Sequence, residues 1–234
     1  MHSNKYIFLY SSAIVIVVAV ALTVVAVQLK PLQENNVRIE KMQNILSSVN
    51  IMSTTLDAEV LYKKYITQEL VTNSKGENIE GQKAFVISLE SENRKAIEKR
   101  VLPIYVCSQD NGEKNYIIPV RGKGLWGPIW GYIAFKPDFN TIVGVMFDHK
   151  SETPGLGAEI NTETFQKQFF GKLIFDEKNN FVSVKTVKGG TPDDNPHGVD
   201  AISGGTITSD FLSETIYDGL KIYQEFIKKN KTTN

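Results

Sequence analysis

Residues 6–27 are apolar apart from Ser11, Ser12 and Thr23, and none carries a charge. About 20 such residues cross a bilayer as a helix, so residues 1–30 are expected to form one transmembrane anchor. The triplet Ala19-Val20-Ala21 mimics a signal-peptide cleavage site, but the apolar run continues past it to Val27, which favours an anchor that stays uncleaved. After Pro31, the positions Ile39, Met42, Ile45, Leu46 and Val49 recur at helical spacing. Residues 31–80 are therefore read as a membrane-proximal helical lead-in. Beyond them the pattern shortens. Strands are expected at 84–89, 104–107, 116–120, 129–135, 142–148 and 181–187, with a short helix or turn over 90–102 and a helix over 162–170. Phe211, Leu212, Ile216, Leu220, Tyr223 and Ile227 fall at three- and four-residue steps and predict a last amphipathic helix. Thr208 or Ser209 is expected to cap it, with Asp210 in its first turn.

Gly122, Gly124 and Gly127 give the spacing Gly-x-Gly-x-x-Gly, but a dinucleotide fingerprint must open a helix. Here Pro128 follows at once, and Trp130, Tyr132, Ala134 and Phe135 read as a strand. The segment is better described as a hairpin with a glycine-rich turn. Trp130 is expected in the core; Trp126, in the turn, fits either the core or the wall of a ligand site.

The 234 residues carry a formal net charge of zero, which gives no sign of nucleic-acid binding. A hydrophobic share of 41% is enough for one packed domain after the anchor. Lys5 before the span and Lys30 after it barely orient it, and with no ionisable residue inside, the span reads as a tether rather than an ion path. Cys107 is the only cysteine, so no internal disulfide forms and no iron–sulfur or zinc cluster is suggested; its expected place is a buried one.

Two stretches carry candidate chemistry. Residues 200–209, Asp-Ala-Ile-Ser-Gly-Gly-Thr-Ile-Thr-Ser, set hydroxyls and two glycines just before the last helix. A helix N-terminus behind a glycine turn favours phosphate, although an ordinary capped loop has the same composition. Residues 149–158, His-Lys-Ser-Glu-Thr-Pro-Gly-Leu-Gly-Ala, make a tight Pro-Gly turn. Such a loop offers backbone groups, the Thr153 hydroxyl and Leu156 to a flat polar-edged ring, while a strand-end His149 and a solvated Glu152 are the plainer alternatives. Lys188, before Gly189-Gly190, is either an exposed strand end or a cation for a phosphate or a reduced ring. His197 and Asp200 are placed to close the loop between.

Asp200-x-x-Ser203-Gly204-small-Thr206 resembles the signal read by a flavin transferase, which esterifies the phosphate of FMN onto the last threonine. The family site usually reads Ser-Gly-Ala-Thr-x-Thr-Ser, and here Gly205 replaces the alanine. Residues 149–157 resemble the His-x-Glu-Thr-Pro-Gly-Leu-Gly signature of the same FMN-binding domain, with two residues rather than one between His149 and Glu152. The Gly-Leu-Trp turn and the aromatic strand after it resemble the C-subunit of the sodium-translocating NADH:quinone oxidoreductase; the G-subunit of the Rnf complex shares the first two motifs. The resemblance implies an α+β FMN-binding domain over 81–234, with a mostly antiparallel sheet flanked by helices. It implies FMN covalently held on Thr206, with Ser203, Gly204, Gly205, Trp126, His149, Glu152, Thr153, Leu156, Gly157 and Lys188 at the cofactor and Asp200 read by the transferase. No catalytic acid–base residue and no metal are implied. The implied function is electron relay within a sodium-pumping NADH:ubiquinone reductase, a translocase. The implied partners are its other subunits, the flavin transferase and the lipid bilayer, with the flavin domain on the periplasmic side of the inner membrane. A flavin-bearing sensor that passes no current is the alternative from another class.

Overall fold

The computed structural model describes residues 3–192 and 194–231. They form two compact units divided after Lys41. Helix α1 (Asn4–Ser47) begins in the first and ends in the second. It is one helix, continuous through Pro31, where a span followed by a separate helix was expected. Proline forfeits one backbone bond here, but no glycine separates the apolar run from the 39–46 repeat, and both have helical period. The first unit is long and apolar enough to cross a membrane, with mean hydropathy 2.7 in its best window.

The second unit is built on a five-stranded antiparallel meander in chain order, preceded by helix α2 (Ala58–Tyr65). Its strands are β1 (Ile66–Asn73), β2 (Val101–Ser108), β3 (Lys114–Lys123), β4 (Pro128–Phe135) and β5 (Ile142–His149). The last four match the expected positions, with β2 and β3 extended by several residues and β4 and β5 by one each. β1 was not foreseen: the stretch read as helical lead-in supplies the sheet's first strand. Gln68, Glu69 and Thr72 obscure its pattern, as polar residues commonly do on an edge strand.

Alternation along the strands gives the sheet two buried faces. On one, Leu102, Ile104, Ile118, Val120, Ile133 and Phe147 pack with helix α5 (Thr206–Lys221) and helix α6 (Gln224–Asn230) through Leu212, Ile216, Leu220 and Phe226. α5 lies across β3 at close range. A Cβ on Gly219 would stand 2.7 Å from Val120, and one on Gly122 2.8 Å from Thr215 Cβ. On the other face, Tyr105, Cys107, Ile117 and Tyr132 are buried with Met42, Ile45, Leu46, Val49, Ala58, Tyr62 and Ala84. The Tyr105 hydroxyl donates to the Ala84 carbonyl at 3.2 Å.

Two expected strands are corrected. Residues 84–89 form a 3-10 turn at Ala84–Val86 and the start of helix α3 (Leu89–Asn93). The Phe85 amide is taken by Glu69 Oε2 at 2.9 Å, and Ser88 caps α3 by accepting from Ser91 N. Residues 181–187 are strand only at their end. The left-handed Ser183, at φ 63°, breaks the extended run, and the amides of Val182 and Ser183 both turn to the Ile174 carbonyl. The helix expected over 162–170 is α4 (Glu163–Lys167), capped by Thr162. What remains as strand, β6 (Lys185–Val187), pairs in parallel with β7 (Gly198–Asp200) and leads the chain to the turn before α5.

Candidate functional site

Three segments converge at one end of the sheet. The first is the β3–β4 turn, a hairpin closed by Gly124 N donating to Gly127 O at 2.7 Å and by the Lys123–Pro128 pair, as the sequence predicted. The second is the loop after β5. There Gly155 takes φ 75° and the Thr153 carbonyl accepts from Leu156 N and Ala158 N at 3.1 Å each. The third is the start of α5, which begins at Thr206 with Gly205 in the cap position, three or four residues earlier than a cap at Thr208 or Ser209 would place it.

The early start follows from where two hydroxyls go. Thr208 lies inside the first turn rather than at its cap, and its Oγ1 donates to Glu152 Oε2 at 2.6 Å. Ser209 Oγ donates back to the Gly205 carbonyl at 3.0 Å and accepts from Ile202 N at 3.1 Å. Ser209 thus fastens the 202–205 turn from inside the first turn of α5. The first intrahelical bond runs from Ser209 N to Gly205 O, so the amides of Thr206, Ile207 and Thr208 have no partner within the helix.

Between the three segments lies a cavity of about 430 Å³ lined by Leu125, Trp126, Glu152, Thr153, Leu156, Gly157, Gly204, Gly205, Thr206, Ile207 and Thr208. Eight of the residues expected at the cofactor therefore stand around one space: Trp126, Glu152, Thr153, Leu156, Gly157, Gly204, Gly205 and Thr206. Ser203, His149 and Lys188 do not line it. Ser203 is exposed on the turn beside it. His149 lies behind the loop, where its Nδ1 accepts from Glu152 N at 3.2 Å. This places the ring proton on Nε2, which is buried with no hydrogen-bond partner among the described residues. Lys188 is exposed and follows Val187, the register partner of Asp200.

Glu152 is buried, where a solvated acid was the plainer expectation. Trp130, expected in the core, is half-buried with the Arg121 guanidinium 5.7 Å from its ring; its place on β4 sends it away from the α5 face. Asp200 and His197 do close the loop before the turn. Asp200 Oδ1 accepts from Thr191 N at 2.7 Å, and His197 Nδ1 lies 2.7 Å from the Leu173 carbonyl. Sequence reasoning missed Leu125, Ile207 and Thr208 as lining residues. For Thr208 a signal existed in the second threonine of Thr-x-Thr; for Leu125 and Ile207 the only sign is an apolar residue where a turn or a helix start is normally polar.

The donor set suits a flavin phosphate. Unpaired amides at a helix start, beside a half-buried Thr206 whose hydroxyl makes no hydrogen bond among the described residues, fit a phosphate monoester. Four apolar side chains remain open to solvent around the same cavity, namely Leu125, Trp126, Leu156 and Ile207, at 42%, 67%, 42% and 54%. Apolar surface gathered around a concavity fits a flat aromatic ring. Among the described residues no group of three or more His, Cys, Asp or Glu gathers to hold a metal.

This fold and cavity define an FMN-binding domain, and the model of that domain family matches residues 124–221. The C-subunit of the Na(+)-translocating NADH-quinone reductase of Neisseria meningitidis serogroup B is 33% identical over 222 residues, covering 86% of this chain and 85% of that protein. Its counterpart in Haemophilus ducreyi is 31% identical over 225 residues, covering 89% and 87%. The crystal structure of the same reductase component from Parabacteroides distasonis superposes with a TM-score of 0.79 at 37% identity, over 88% of this chain and 98% of that one. The chain belongs to the C-subunit family of the Na(+)-translocating NADH-quinone reductase.

Proposed function

We propose that the chain is a membrane-anchored electron carrier of a sodium-translocating NADH–quinone reductase, holding FMN as a phosphoester on Thr206. The observation that carries the attachment is the sorting of hydroxyls around the cavity. Thr208 is committed to Glu152, Ser209 is committed to the Gly205 carbonyl, and Ser203 lies off the cavity. Thr153 also lines the cavity with an unbonded hydroxyl, but among the described residues Thr206 alone adds to a free hydroxyl and a place on the wall a position beside the open amides of α5.

The ester replaces the Thr206 Oγ1–H bond with an Oγ1–P bond, so the chain gains the mass of FMN less one water. When bound, FMN supplies one-electron transfer. The chain's own residues do the rest. The amides of residues 206–208 hold the phosphate charge, and bare Gly204 and Gly205 admit it at close range. Trp126, Leu125, Leu156 and Ile207 supply apolar contact for the ring, and the 153–157 backbone faces its polar edge. Lys188, next to the register partner of Asp200, is a cation for the phosphate or the reduced ring. Among the described residues Glu152 is the only ionisable group on the cavity wall, and its oxygens are engaged, which supports a carrier without acid–base chemistry of its own.

The remaining subunits of the reductase are the proposed electron partners. A flavin transferase reading the Asp200–Thr206 segment is the proposed maturation partner. α1 is the proposed single bilayer span, with the flavin domain on the periplasmic side of the inner membrane. The test is a denaturing gel of the chain isolated from its own cell. Flavin fluorescence should stay with wild type and with Thr208→Ala, and vanish in Thr206→Ala; a fluorescent Thr206→Ala band overturns the attachment site.

A further inference from the structure

The sequence resemblance assigns Glu152 to the cofactor, yet its side chain is spent on the protein. It is 4% exposed. Oε1 accepts from the Trp126 amide at 2.9 Å and Oε2 from the Thr208 hydroxyl at 2.6 Å. The surroundings are shaped to admit it: a Cβ on Gly124 would stand 2.6 Å from Oε1, and one on Gly157 2.7 Å from Oε2. The neighbouring residue completes the hold. Ser151 Oγ donates to the Trp126 carbonyl at 3.0 Å, so both main-chain polar atoms of Trp126 are held by residues 151 and 152 while its indole stays open to solvent. Behind them, the Glu152 amide is tied to His149 Nδ1.

We propose that Glu152 is a positioning residue. Its carboxylate joins the Trp126 turn to the first turn of α5, and so sets the distance between the Trp126 indole and Thr206, without touching the cofactor. Trp126 sits in a four-residue turn closed by the bond from Gly124 N to Gly127 O; released from Glu152, Trp126 keeps only the Ser151 bond to its carbonyl, about which its indole can swing away from the cavity. The role toward the flavin rests on the reading of Thr206 as the FMN carrier.

The test uses the full chain in detergent and four variants: Glu152→Ala, Glu152→Gln, Thr208→Val and Thr208→Ser. Two signals are read, hydrogen exchange of the Trp126 amide and the fluorescence yield of the attached flavin. Glu152→Ala and Thr208→Val should speed exchange at Trp126 by about fivefold, the effect of one lost hydrogen bond. They should also raise the flavin yield as the indole leaves the ring, with intact mass still showing FMN. Thr208→Ser keeps both bonds, and Glu152→Gln keeps both contacts by accepting from the Trp126 amide through its oxygen while its NH2 donates to the Thr208 hydroxyl; both should behave as wild type. The near-isosteric Thr208→Val keeps the test valid should Glu152→Ala fail to fold. The proposal is overturned if Glu152→Gln departs as far as Glu152→Ala, since the charge itself would then act on the flavin. It is overturned equally if Trp126 exchange is unmoved in both disruptive variants. A bare wild-type mass sinks the carrier reading instead, and the two failures are told apart because the exchange signal needs no flavin.

Discussion

The Tyr223 hydroxyl donates to the carbonyl of Pro103 at 3.0 Å, tying the residue between α5 and α6 to β2 across 120 positions of chain. Tyr223 is fully buried, and that burial holds its phenol well above the ordinary tyrosine range. Tyr223→Phe keeps the ring and strands the Pro103 carbonyl. The expected cost is about 1–2 kcal/mol, which for a domain of this size lowers the melting temperature by about 2–8 °C. Thermal unfolding of the full chain reads it directly. The flavin load should be unchanged, because the substitution lies at the far end of α5 from Thr206.

Alkaline pH should destabilise the domain from about 9 upward. Burial pushes the Cys107 thiol up to about 11 from an ordinary 9.0. It also raises Tyr105 and Tyr223, and Tyr62, whose hydroxyl in addition faces Glu69. Each group is neutral when folded and ionises more readily when unfolded, so its stabilising effect is complete below the unfolded value and is lost as pH rises through the folded one. Unfolding midpoints should be flat with respect to these groups below pH 9 and fall above it. Cys107→Ala should remove the part of the slope between 9 and 11. Parallel wild-type and Cys107→Ala profiles across that window would place the thiol in solvent.

Gly204 and Gly205 should respond differently to alanine. Gly204 holds φ 72°, and a Cβ there would stand 2.6 Å from Leu156 Cδ2. The left-handed conformation alone costs roughly 1–2 kcal/mol, so Gly204→Ala should loosen the turn and reduce the flavin load. Gly205, at φ −108°, has a backbone conformation open to alanine, and the added Cβ requires small shifts of Ile202 Cγ2, 2.9 Å away, and of the Gly157 amide nitrogen, 3.2 Å away. Gly205→Ala restores the residue usual in the family and should cost less than about 1 kcal/mol, with full flavin mass retained. An unmodified Gly205→Ala chain would show that the transferase needs the freedom of this second glycine.

What was legible in the sequence was local, and what was not depends on distant partners. The 122–128 hairpin, the Pro-Gly loop and the hydroxyl-rich turn could be read because glycine, proline and apolar spacing determine them within ten residues. The expected start of α5 fell three or four residues late because its cap is Gly205, while the Thr208 hydroxyl is drawn to Glu152, 56 positions away. The burial of Glu152 was hidden for the same reason. β1 carries no clean alternation, so only its pairing with β2 reveals it as a strand. The left-handed Ser183 cut short an apolar run that otherwise reads as a strand, since nothing in a serine announces positive φ.

The boundary of the folding unit is the last expectation to test, and three starting points separate the possibilities. A chain beginning at Met42 keeps Met42, Ile45, Leu46 and Val49, all buried against the second face of the sheet, and should fold alone and stay soluble. A chain beginning at Asn50 loses Ile45 and Leu46, each at 0% exposure. Full burial of such a side chain contributes about 1.5–3 kcal/mol, so together they approach the whole margin by which a domain of this kind is stable. That chain should expose the Tyr62 and Tyr132 side of the sheet and aggregate. A chain beginning at residue 81, the start of the flavin domain on sequence grounds alone, also lacks β1 and leaves β2 as a raw edge carrying Ile104 and Val106. It should not fold at all. Far-UV circular dichroism and gel filtration of the three chains decide the matter, and a monomeric, cooperatively melting 81–234 fragment would return β1 and the end of α1 to the role of a mere lead-in.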